Sequence, residues 1–463
     1  MDFTDGSLAT MQPQEVTLAQ ATAVWAKIGM LSFGGPAGQI AVMHRELVEQ
    51  RKWISDARFL HALNYCMFLP GPEAAQLAIY IGWMLHRTAG GLIAGLLFIL
   101  PGVVTILALS IVYVLYGHIL LVAAVFFGLK AAVLAVVLEA VLRIGRKALK
   151  NWIMVAIAGL AFVAIFLFKM PFPLIVLGAA LIGFAGRWWL PLSFPASAST
   201  SGDKSSDYLI DRLLGQGQLV HTRPSLGPAL RSTLIWLMIW WLPVVAVIAA
   251  FGSDSVLARE GIFFSKAAMV TFGGAYAVLT YVAQQAVETF NWLTAGQMLD
   301  GLALAETTPG PLIMVVQFVG FLGAFHHQEG ALSPMAAGVA GSLLTTWVTF
   351  APCFLWIFVG APYIEALRNN HALHSALSAV TAAVVGVILN LSVWFALHSL
   401  FGHTEPRRYG PMVLDVPQWT TIDWATVILT AASLLAMLRF KLGIGWTLFG
   451  SAVIGTLWVL GRG

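Results

Sequence analysis

The stretch Leu69-Pro70-Gly71-Pro72-Glu73 interrupts a long apolar run, and it has an echo at Thr308-Pro309-Gly310-Pro311-Leu312. Proline lacks a backbone N–H and disfavours the α conformation in the residue before it, so Pro-Gly-Pro stops a helix and lets it restart. Inside a bilayer, such a break is tolerated only where protein or a polar cavity covers the freed backbone groups. Each restarting helix also presents free N–H groups, which suit an anion. The alternative is a packing kink without a ligand.

The composition defines the class of protein. The chain has 463 residues, of which 59% are hydrophobic and 10% charged, and its mean hydropathy is +0.84. These values are typical of a polytopic membrane protein and exclude a soluble domain. The formal net charge of +4 comes from basic residues in the connections and leaves no footprint for nucleic acid. Cys66 and Cys353 form no zinc or disulfide motif, so we expect no metal and no cofactor.

The two halves of the chain are related by an internal duplication. The matching residues share one offset of 239 positions: Lys27 with Lys266, Phe33-Gly34-Gly35 with Phe272-Gly273-Gly274, Trp53 with Trp292, and Pro70-Gly71-Pro72 with Pro309-Gly310-Pro311. A constant register without a gap indicates duplication. We therefore predict an all-α polytopic membrane protein with two repeats and with helices broken at the FGG and PGP motifs. Residues 1–190 form the first repeat, 191–227 a polar cytoplasmic linker, and 228–463 the second repeat with one extra leading helix.

The basic residues predict the topology. The connection after the first FGG carries Arg45, Arg51, Lys52 and Arg58, whereas its counterpart 284–297 carries no Lys or Arg. Because Lys and Arg accumulate in cytoplasmic loops, this asymmetry favours inverted repeats. If every long apolar run crossed the membrane once, the six runs of the first half and the extra run would make seven crossings, and an odd number also inverts the second repeat. That count, however, places the basic turn 143–150 on the side opposite the basic connection 45–58. A re-entrant PGP element would place this turn in the cytoplasm, and the repeats would then be parallel.

The combination of motifs resembles the chromate ion transporter family. The resemblance rests on four groups of residues: Phe33-Gly34-Gly35-Pro36, the Arg-rich connection ending at Trp53, Pro70-Gly71-Pro72-Glu73 with Gln76, and Phe98-Ile99-Leu100-Pro101. It covers nearly the whole chain and is similar to the long, two-repeat type. It implies chromate export from the bacterial cytoplasm across the inner membrane, with sulfate as a related anion, protons as a possible coupling ion and a homodimer as a possible assembly. Ala275 replaces Pro36 and Leu312 replaces Glu73 in the second copy, so the halves need not contribute equally.

The candidate substrate-binding residues are cations, glycines and polar side chains near the breaks: Lys27, Gly34, Gly35, Arg45, Gly71, Glu73, Gln76, Lys266, Gly273, Gly274, Gly310 and Gln317. Cations inside a membrane are often functional, although a lysine near the interface also snorkels toward water. Glycine pairs let N–H groups approach a ligand, or let helices pack closely. The glutamines donate to an anion or to a neighbouring helix. Arg45 either binds the oxyanion through two hydrogen bonds or is a solvated loop charge.

Two glutamates are candidates for coupling anion movement to protons. A carboxylate near an anion site is unexpected unless it carries a proton. Glu73 stands at a helix start, where its charge suits the helix dipole, whereas Glu306 precedes the second break and has no such explanation. In each case the alternative is a buried, hydrogen-bonded carboxyl group. Asp300 and His61, which occupy equivalent positions, are weaker candidates.

Two other classes of function were weighed. The chain contains no HExxH, GxSxG or GxxxxGK[ST] motif, so we predict no enzymatic activity and no ATP-driven step. A channel stays open as the alternative, because a dianion leaving an inside-negative cell gains about 4.6 kcal/mol at 100 mV without a coupling ion. The membrane potential, a proton gradient or both would drive export.

Overall fold

The structure, a computed structural model, describes residues 16–33, 35–189, 208–216, 219–222, 224–272, 274–328, 330, 332–363 and 371–461. Helices dominate these residues, and five of the described helices are long and apolar enough to cross a membrane. The prediction of an α-helical polytopic membrane protein is confirmed. The candidate site residues Gly34 and Gly273 lie outside the described residues.

The first repeat begins with short helices and continues with longer ones. Its helices are α1 (Leu18–Leu31), α2 (Gly35–His44), α3 (Asp56–Phe68), α4 (Glu73–Tyr116), α5 (Leu120–Ala148), α6 (Trp152–Phe168) and α7 (Phe172–Trp189). Polar caps set the helix starts: Thr17 closes the first turn of α1 with Gln20, and Ser55 accepts from the Arg58 N–H at the start of α3. The backbone of α4 is not helical at His86 and Arg87, so α4 is two helices joined by a sharp kink.

The second repeat is preceded by two additional helices. These are α8 (Leu209–Gly215) and α9 (Leu226–Phe251). The repeat itself contains α10 (Val256–Met269), α11 (Ala275–Ala283), α12 (Ala295–Thr307), α13 (Val315–His326), α14 (Pro334–Gly360), α15 (His371–Leu400), α16 (Trp424–Leu438) and α17 (Ile444–Leu460). A short antiparallel hairpin of β1 (Thr404–Tyr409) and β2 (Met412–Pro417) joins α15 to α16. The sequence did not predict this hairpin, which lies between the membrane helices.

The duplication extends to details of the backbone. α2 continues into a π-helical turn at Arg45–Gln50, and α11 continues into the equivalent turn at Gln284–Thr289. Just beyond these turns, Lys52 and Asn291 have φ angles of 52° and 53°. Few residues other than glycine adopt such values, so their recurrence at the same offset supports a common origin of the repeats.

The FGG and PGP motifs form the tips of re-entrant helical hairpins. The rings of Tyr65 in α3 and Tyr80 in α4 lie 6.4 Å apart, although a straight helix would separate these residues by about 22 Å. The FGG elements also fold back, since the rings of Phe263 in α10 and Tyr281 in α11 lie 5.3 Å apart. We call the pairs α1–α2 and α10–α11 the FGG hairpins. The PGP hairpins are α3 with the first arm of α4, and α12 with α13.

This geometry makes the repeats inverted. Each hairpin returns to the side from which it starts. The second part of α4 and α5 are long enough to cross the membrane, and we assign one crossing each to the shorter apolar helices α6 and α7, so that the four alternate in direction. The N–H of Leu209 in α8 donates to the Lys52 carbonyl, so α8 lies on the side where the first hairpins begin. α9 crosses once more: Trp236 stacks on Phe354 near the end of α14, and Val244 packs on Gly261 in α10. The second repeat therefore starts on the opposite side.

The hairpins also resolve the conflict over the basic turn 143–150. The count of six crossings does not hold, because the first repeat crosses four times. The expectation that a re-entrant PGP element makes the repeats parallel is wrong, because the FGG elements are re-entrant as well and α9 alone inverts the second half. The turn after α5 lies on the same side as the connection 45–58, so both basic segments of the first repeat share one side of the membrane.

The long helices of the two repeats interlock. α5 packs against α16 and α17, and its equivalent α15 packs against α6 and α7. A Cβ on Gly128 of α5 would clash with the Ser451 carbonyl of α17, and one on Gly386 of α15 would clash with the Ala158 carbonyl of α6. Such close approach between helices requires small residues. Each repeat thus completes the packing of the other.

The later part of the predicted linker packs against the first repeat. We call residues 208–222 the strap, of which 208–216 and 219–222 are described. Ile210 is fully buried, and Arg58 Nε donates to Asp211 Oδ1 at 2.9 Å. Farther along, the His221 ring meets Trp83 near the foot of the PGP hairpin. The strap therefore holds both hairpins of the first repeat at one face.

Candidate functional site

The four hairpin tips meet inside the molecule. Ser32 Oγ donates to the Ile28 carbonyl at 2.7 Å and ends α1, and Thr271 Oγ1 donates in the same way to the Ala267 carbonyl at the end of α10. Beyond these ends, the chain restarts at Gly35 and Gly274, whose φ angles of 71° and 100° favour glycine. We call the described residues 32–33, 35, 69–73, 271–272, 274 and 308–312 the junction.

Two equivalent hydrogen bonds hold the junction together. The N–H of Gly71 donates to the Thr271 carbonyl, and the N–H of Gly310 donates to the Ser32 carbonyl, each at 2.8 Å. Each PGP tip is therefore attached to the FGG tip of the other repeat. We expected Gly71 and Gly310 to offer their N–H groups to an anion, but the structure places protein carbonyls there. The donors left for an anion are backbone N–H groups in the first turns of the helices that restart at the junction.

The PGP glycines are also packed without space for a side chain. A Cβ on Gly71 would lie 2.9 Å from Gln76 Nε2 and 3.1 Å from Cys353 Sγ, and a Cβ on Gly310 would lie 2.9 Å from Gly102 Cα. Gly102 and Cys353 each directly follow a proline inside a long helix, Pro101 of α4 and Pro352 of α14, and these two prolines correspond between the repeats. The two PGP glycines are thus packed against equivalent positions of the opposite repeat, which hold Cys353 in one case and Gly102 in the other.

Three buried glutamines line the junction. Gln76 Nε2 donates to the Pro70 carbonyl at 2.8 Å, Gln317 Nε2 to the Val103 carbonyl at 2.9 Å, and Gln39 Nε2 to the Gly310 carbonyl at 2.5 Å. The Oε1 atom of each is buried without a partner among the residues that the structure describes. The amide hydrogens of Gln76 and Gln39 therefore fix backbone carbonyls of the PGP tips, whereas Gln317 binds the α4 backbone one residue after Gly102. Sequence reasoning missed Gln39, because its equivalent Val278 is apolar; the only signal was a polar residue four positions after the end of the FGG motif.

The open part of the junction lies at the FGG tips. A Cβ on Gly35 would meet no atom within 4 Å, and one on Gly274 would meet only Glu73 Oε1, at 3.6 Å. Glu73 of the first repeat therefore faces the FGG tip of the second. Glu306 lies deeper: the Tyr276 hydroxyl donates to its Oε1, while its Oε2 is buried without a partner in the described part of the chain.

The predicted cations do not lie at the tips. Lys27 Nζ contacts Glu46 Oε1 at 2.7 Å, and Arg51 Nε approaches the other oxygen of the buried Glu46 at 3.9 Å. This cluster joins the two arms of the first FGG hairpin away from its tip. Lys266 is exposed on α10, and Arg45 is exposed on the π-helical turn at the foot of the hairpin. The structure therefore does not bring Lys27, Lys266 or Arg45 together with the junction glycines.

A cation that the sequence analysis did not select joins the repeats beside the junction. Lys130 Nζ of α5 lies 3.3 Å from Asp300 Oδ2 of α12, and the Tyr113 hydroxyl donates to the same oxygen at 2.8 Å. The position equivalent to Asp300 holds His61. Beyond the PGP motifs the offset changes, and there Leu129-Lys130-Ala131 resembles Leu377-Ser378-Ala379, so Ser378 corresponds to Lys130 and the ion pair has no counterpart in the other copy.

The contact of Lys27 leads to a testable prediction. Lys27→Met leaves Glu46 buried without its closest cation, and we expect a loss of about 1–3 kcal/mol in stability. The position equivalent to Glu46 naturally holds Gln285, so adding Glu46→Gln to Lys27→Met should restore the thermal unfolding temperature of the purified protein. Lys266→Met is the matched control, with little expected change. A double variant as unstable as Lys27→Met would contradict the ion-pair role.

The inverted repeats and the junction of broken helices define a membrane protein with the architecture of a secondary transporter. The family described as "Chromate transporter" matches residues 19–184 and 260–456, so the chain belongs to this family. The two matched regions correspond to the two repeats.

The relatives cover most of the chain. It is 28% identical to a "Chromate transport protein" of Cupriavidus metallidurans over 95% of this chain and 92% of the relative. It is 33% identical to a "Chromate transport protein" of Pseudomonas aeruginosa over 81% of this chain and 80% of the relative. A "Probable chromate transport protein" of Synechococcus elongatus is 28% identical over 87% and 90%. No solved structure matches the chain.

Proposed function

We propose that this protein exports chromate from the bacterial cytoplasm across the inner membrane as a secondary transporter and thereby confers chromate resistance. The observation that carries the proposal is the junction, where the tips of four re-entrant hairpins from two inverted repeats meet. The names of the relatives supply the substrate. The alternatives are an anion channel and a transporter of another oxyanion such as sulfate.

The anion would bind beside Gly35 and Gly274. α2 and α11 start at these positions, and each has free N–H groups in its first turn and a partial positive charge at its start. The absence of side chains on the glycines leaves space for the oxygens of a tetrahedral dianion. Movement of an FGG tip against the PGP tip of the other repeat would open this space toward one side of the membrane and then the other.

Glu73 and Glu306 are the proposed proton-coupling residues. A charged Glu73 facing the Gly274 tip would repel a dianion, whereas a protonated Glu73 would accept it. Glu306 already receives one hydrogen bond from Tyr276, and its second oxygen is free among the described residues to carry a proton. In the other repeat, Leu312 replaces Glu73 and Met67 replaces Glu306. The two repeats would therefore contribute different carboxyl groups to proton coupling.

The direction of transport follows from the proposed topology. The side that carries the connection 45–58, the turn 143–150 and the strap is rich in Lys and Arg, which places it in the cytoplasm. Chromate entering from this side is driven outward by an inside-negative potential.

Flux measurements in proteoliposomes test this proposal. We expect saturable chromate flux that follows an imposed membrane potential, and we expect a pH gradient at zero potential to drive flux if protons are coupled. Glu73→Gln and Glu306→Gln should lose the response to the pH gradient and keep exchange of chromate against chromate. Sulfate competes if the site accepts tetrahedral dianions in general. Absence of any protein-dependent chromate flux would refute the proposed substrate, and flux that does not saturate would favour a channel.

A further inference from the structure

A pocket of about 370 Å³ opens at the kink of α4, on the face that carries the strap. Three basic side chains, His86, Arg87 and His221, lie in its wall together with apolar side chains of α1, α4 and the strap. The pocket lies at the foot of the first PGP hairpin, one hairpin length away from the junction. It is therefore separate from the proposed transport site.

The backbone at the kink is held in an unfavourable conformation. Arg87 has φ 53° and ψ −147°, a region almost reserved for glycine. Arg87 forms no ion pair with any residue that the structure describes, and its side chain is exposed. A strained backbone that carries an unpaired arginine indicates that the guanidinium is needed at this place, because glycine would fit the kink without strain.

The strap supplies the opposite wall. His221 Nε2 bonds to the Trp83 carbonyl at 3.1 Å, which leaves Nδ1 without a partner in the described ranges, and His86 Nε2 is likewise buried and unpaired there. Burial lowers the pKa of His221, the Trp83 carbonyl raises it, and the charge of Arg87 lowers it. Arg87 therefore provides the fixed charge of the pocket. Because Nε2–H of His221 donates to the Trp83 carbonyl, its Nδ1 can donate to an anion only when the ring is protonated, and Nε2 of His86 donates in the tautomer that carries the proton there.

We propose that this pocket binds a tetrahedral oxyanion, either a free anion of the phosphate and sulfate type or the phosphate group of an anionic membrane lipid. Arg87 holds the anion through its planar set of N–H donors, which matches such oxygens. The imidazole rings of His86 and His221 close the site from α4 and from the strap. An anion bound there connects the strap to the kink at which the PGP hairpin joins the membrane-crossing part of α4. The site is independent of the anion path through the junction.

A cysteine at the pocket reports on occupancy. Ala89 lines the pocket and is exposed, whereas Cys66 and Cys353 are fully buried, so Ala89→Cys gives one reactive thiol in the full-length protein. The protein is placed in nanodiscs of phosphatidylcholine, and the rate of maleimide labelling is measured with sulfate, with inorganic phosphate, or with chloride at the same ionic strength. At an anion concentration about ten times its dissociation constant, labelling should slow about tenfold. Gln50→Cys, exposed on the same face, is the control thiol and should not respond.

Substitutions at Arg87 separate charge from fold. Arg87→Gly removes the guanidinium and relieves the backbone, so this variant should fold and should lose the protection by anions. Arg87→Lys keeps the positive charge and should retain part of the protection by anions. Arg146→Gln removes an exposed charge outside the pocket and should leave the protection unchanged.

The lipid arm identifies the source of the anion. If nanodiscs containing phosphatidylglycerol slow the labelling without added sulfate or phosphate, and Arg87→Gly abolishes this effect, the occupant is a lipid phosphate. If protection requires the added anions, the occupant is a free oxyanion. Equal labelling rates under all conditions, or equal slowing in Arg87→Gly or at Gln50→Cys, would overturn the proposal, whatever the outcome of the flux measurements.

Discussion

Gly310→Ala should reduce chromate flux in proteoliposomes by at least about 100-fold, because a shift of about 1 Å in a binding geometry has effects of this size. Gly310 has a φ angle of 106°, which costs an alanine about 1–3 kcal/mol. The new Cβ would also lie 2.9 Å from Gly102 Cα, a backbone atom of a packed helix that cannot turn away. The tip must then move, and the hydrogen bond from the Gly310 N–H to the Ser32 carbonyl is lost.

The chain contains a matched control for this substitution. Gly330 has the same φ angle of 106°, but a Cβ there would meet no atom within 4 Å. Gly330→Ala therefore introduces the backbone strain without the clash at the junction, and we expect it to transport at close to the parental rate. The comparison separates a general loss of stability from a loss of junction geometry.

A second variant keeps the test informative if Gly310→Ala does not fold. Gly102 lies on the other side of the same contact and has a helical backbone, and its Cβ would lie 3.0 Å from the Pro309 carbonyl oxygen. Gly102→Ala should fold, because no φ strain is involved, and should slow transport to a smaller extent. Parental flux from folded Gly310→Ala and Gly102→Ala would show that the junction can change without affecting transport.

The duplication and the positions of the breaks could be predicted, because local sequence determines them. Prolines, glycines and capping residues act within one helical turn, so the constant offset of 239 positions carried through to the π-helical turns and to the left-handed residues Lys52 and Asn291. The start of α16 at Trp424 follows the same rule, because the Asp423 side chain accepts hydrogen bonds from N–H groups of its first turn.

The pairing of the tips could not be predicted, because it depends on contacts between residues far apart in the chain. Nothing near Gly71 indicates that its N–H meets the Thr271 carbonyl, and nothing near Lys27 shows that its partner is Glu46 on the returning arm. The re-entrant shape is likewise a tertiary property, since a break in a crossing helix and a hairpin tip have the same local sequence. The polar composition of the strap predicted a solvated linker, so its packing against the first repeat could not be predicted.

The copies have diverged in their buried acids. Glu260, Asp300 and Glu306 are buried in the second repeat, where the first repeat has Ala21, His61 and Met67. Asp300 is paired with Lys130 and Glu306 with Tyr276, whereas the two oxygens of Glu260 have no hydrogen-bonding side chain among the described residues. Burying such a group is costly unless it is neutral or paired. The second repeat therefore carries three of the four buried acidic residues of the described chain, and Glu46 is the one in the first repeat.

Thiol labelling in intact cells should give an all-or-none result at two equivalent positions. Gln50 and Thr289 end the two π-helical turns, are related by the repeat offset and are both exposed. Because one crossing by α9 inverts the second repeat, these residues lie on opposite sides of the membrane. The basic residues beside Gln50 predict that it faces the cytoplasm. An impermeant maleimide should therefore label Thr289→Cys and leave Gln50→Cys unlabelled, in a background without Cys66 and Cys353.

Permeabilised cells provide the control, since both cysteines should then react. Labelling of both positions in intact cells, or of neither, would mean that the repeats are parallel and that the chain crosses the membrane an even number of times between them. Labelling of Gln50→Cys alone would keep the inversion but reverse the orientation. The Lys- and Arg-rich connection 45–58, the turn 143–150 and the strap would then face the periplasm. A dianion that enters from their side would have to move inward against the inside-negative membrane potential.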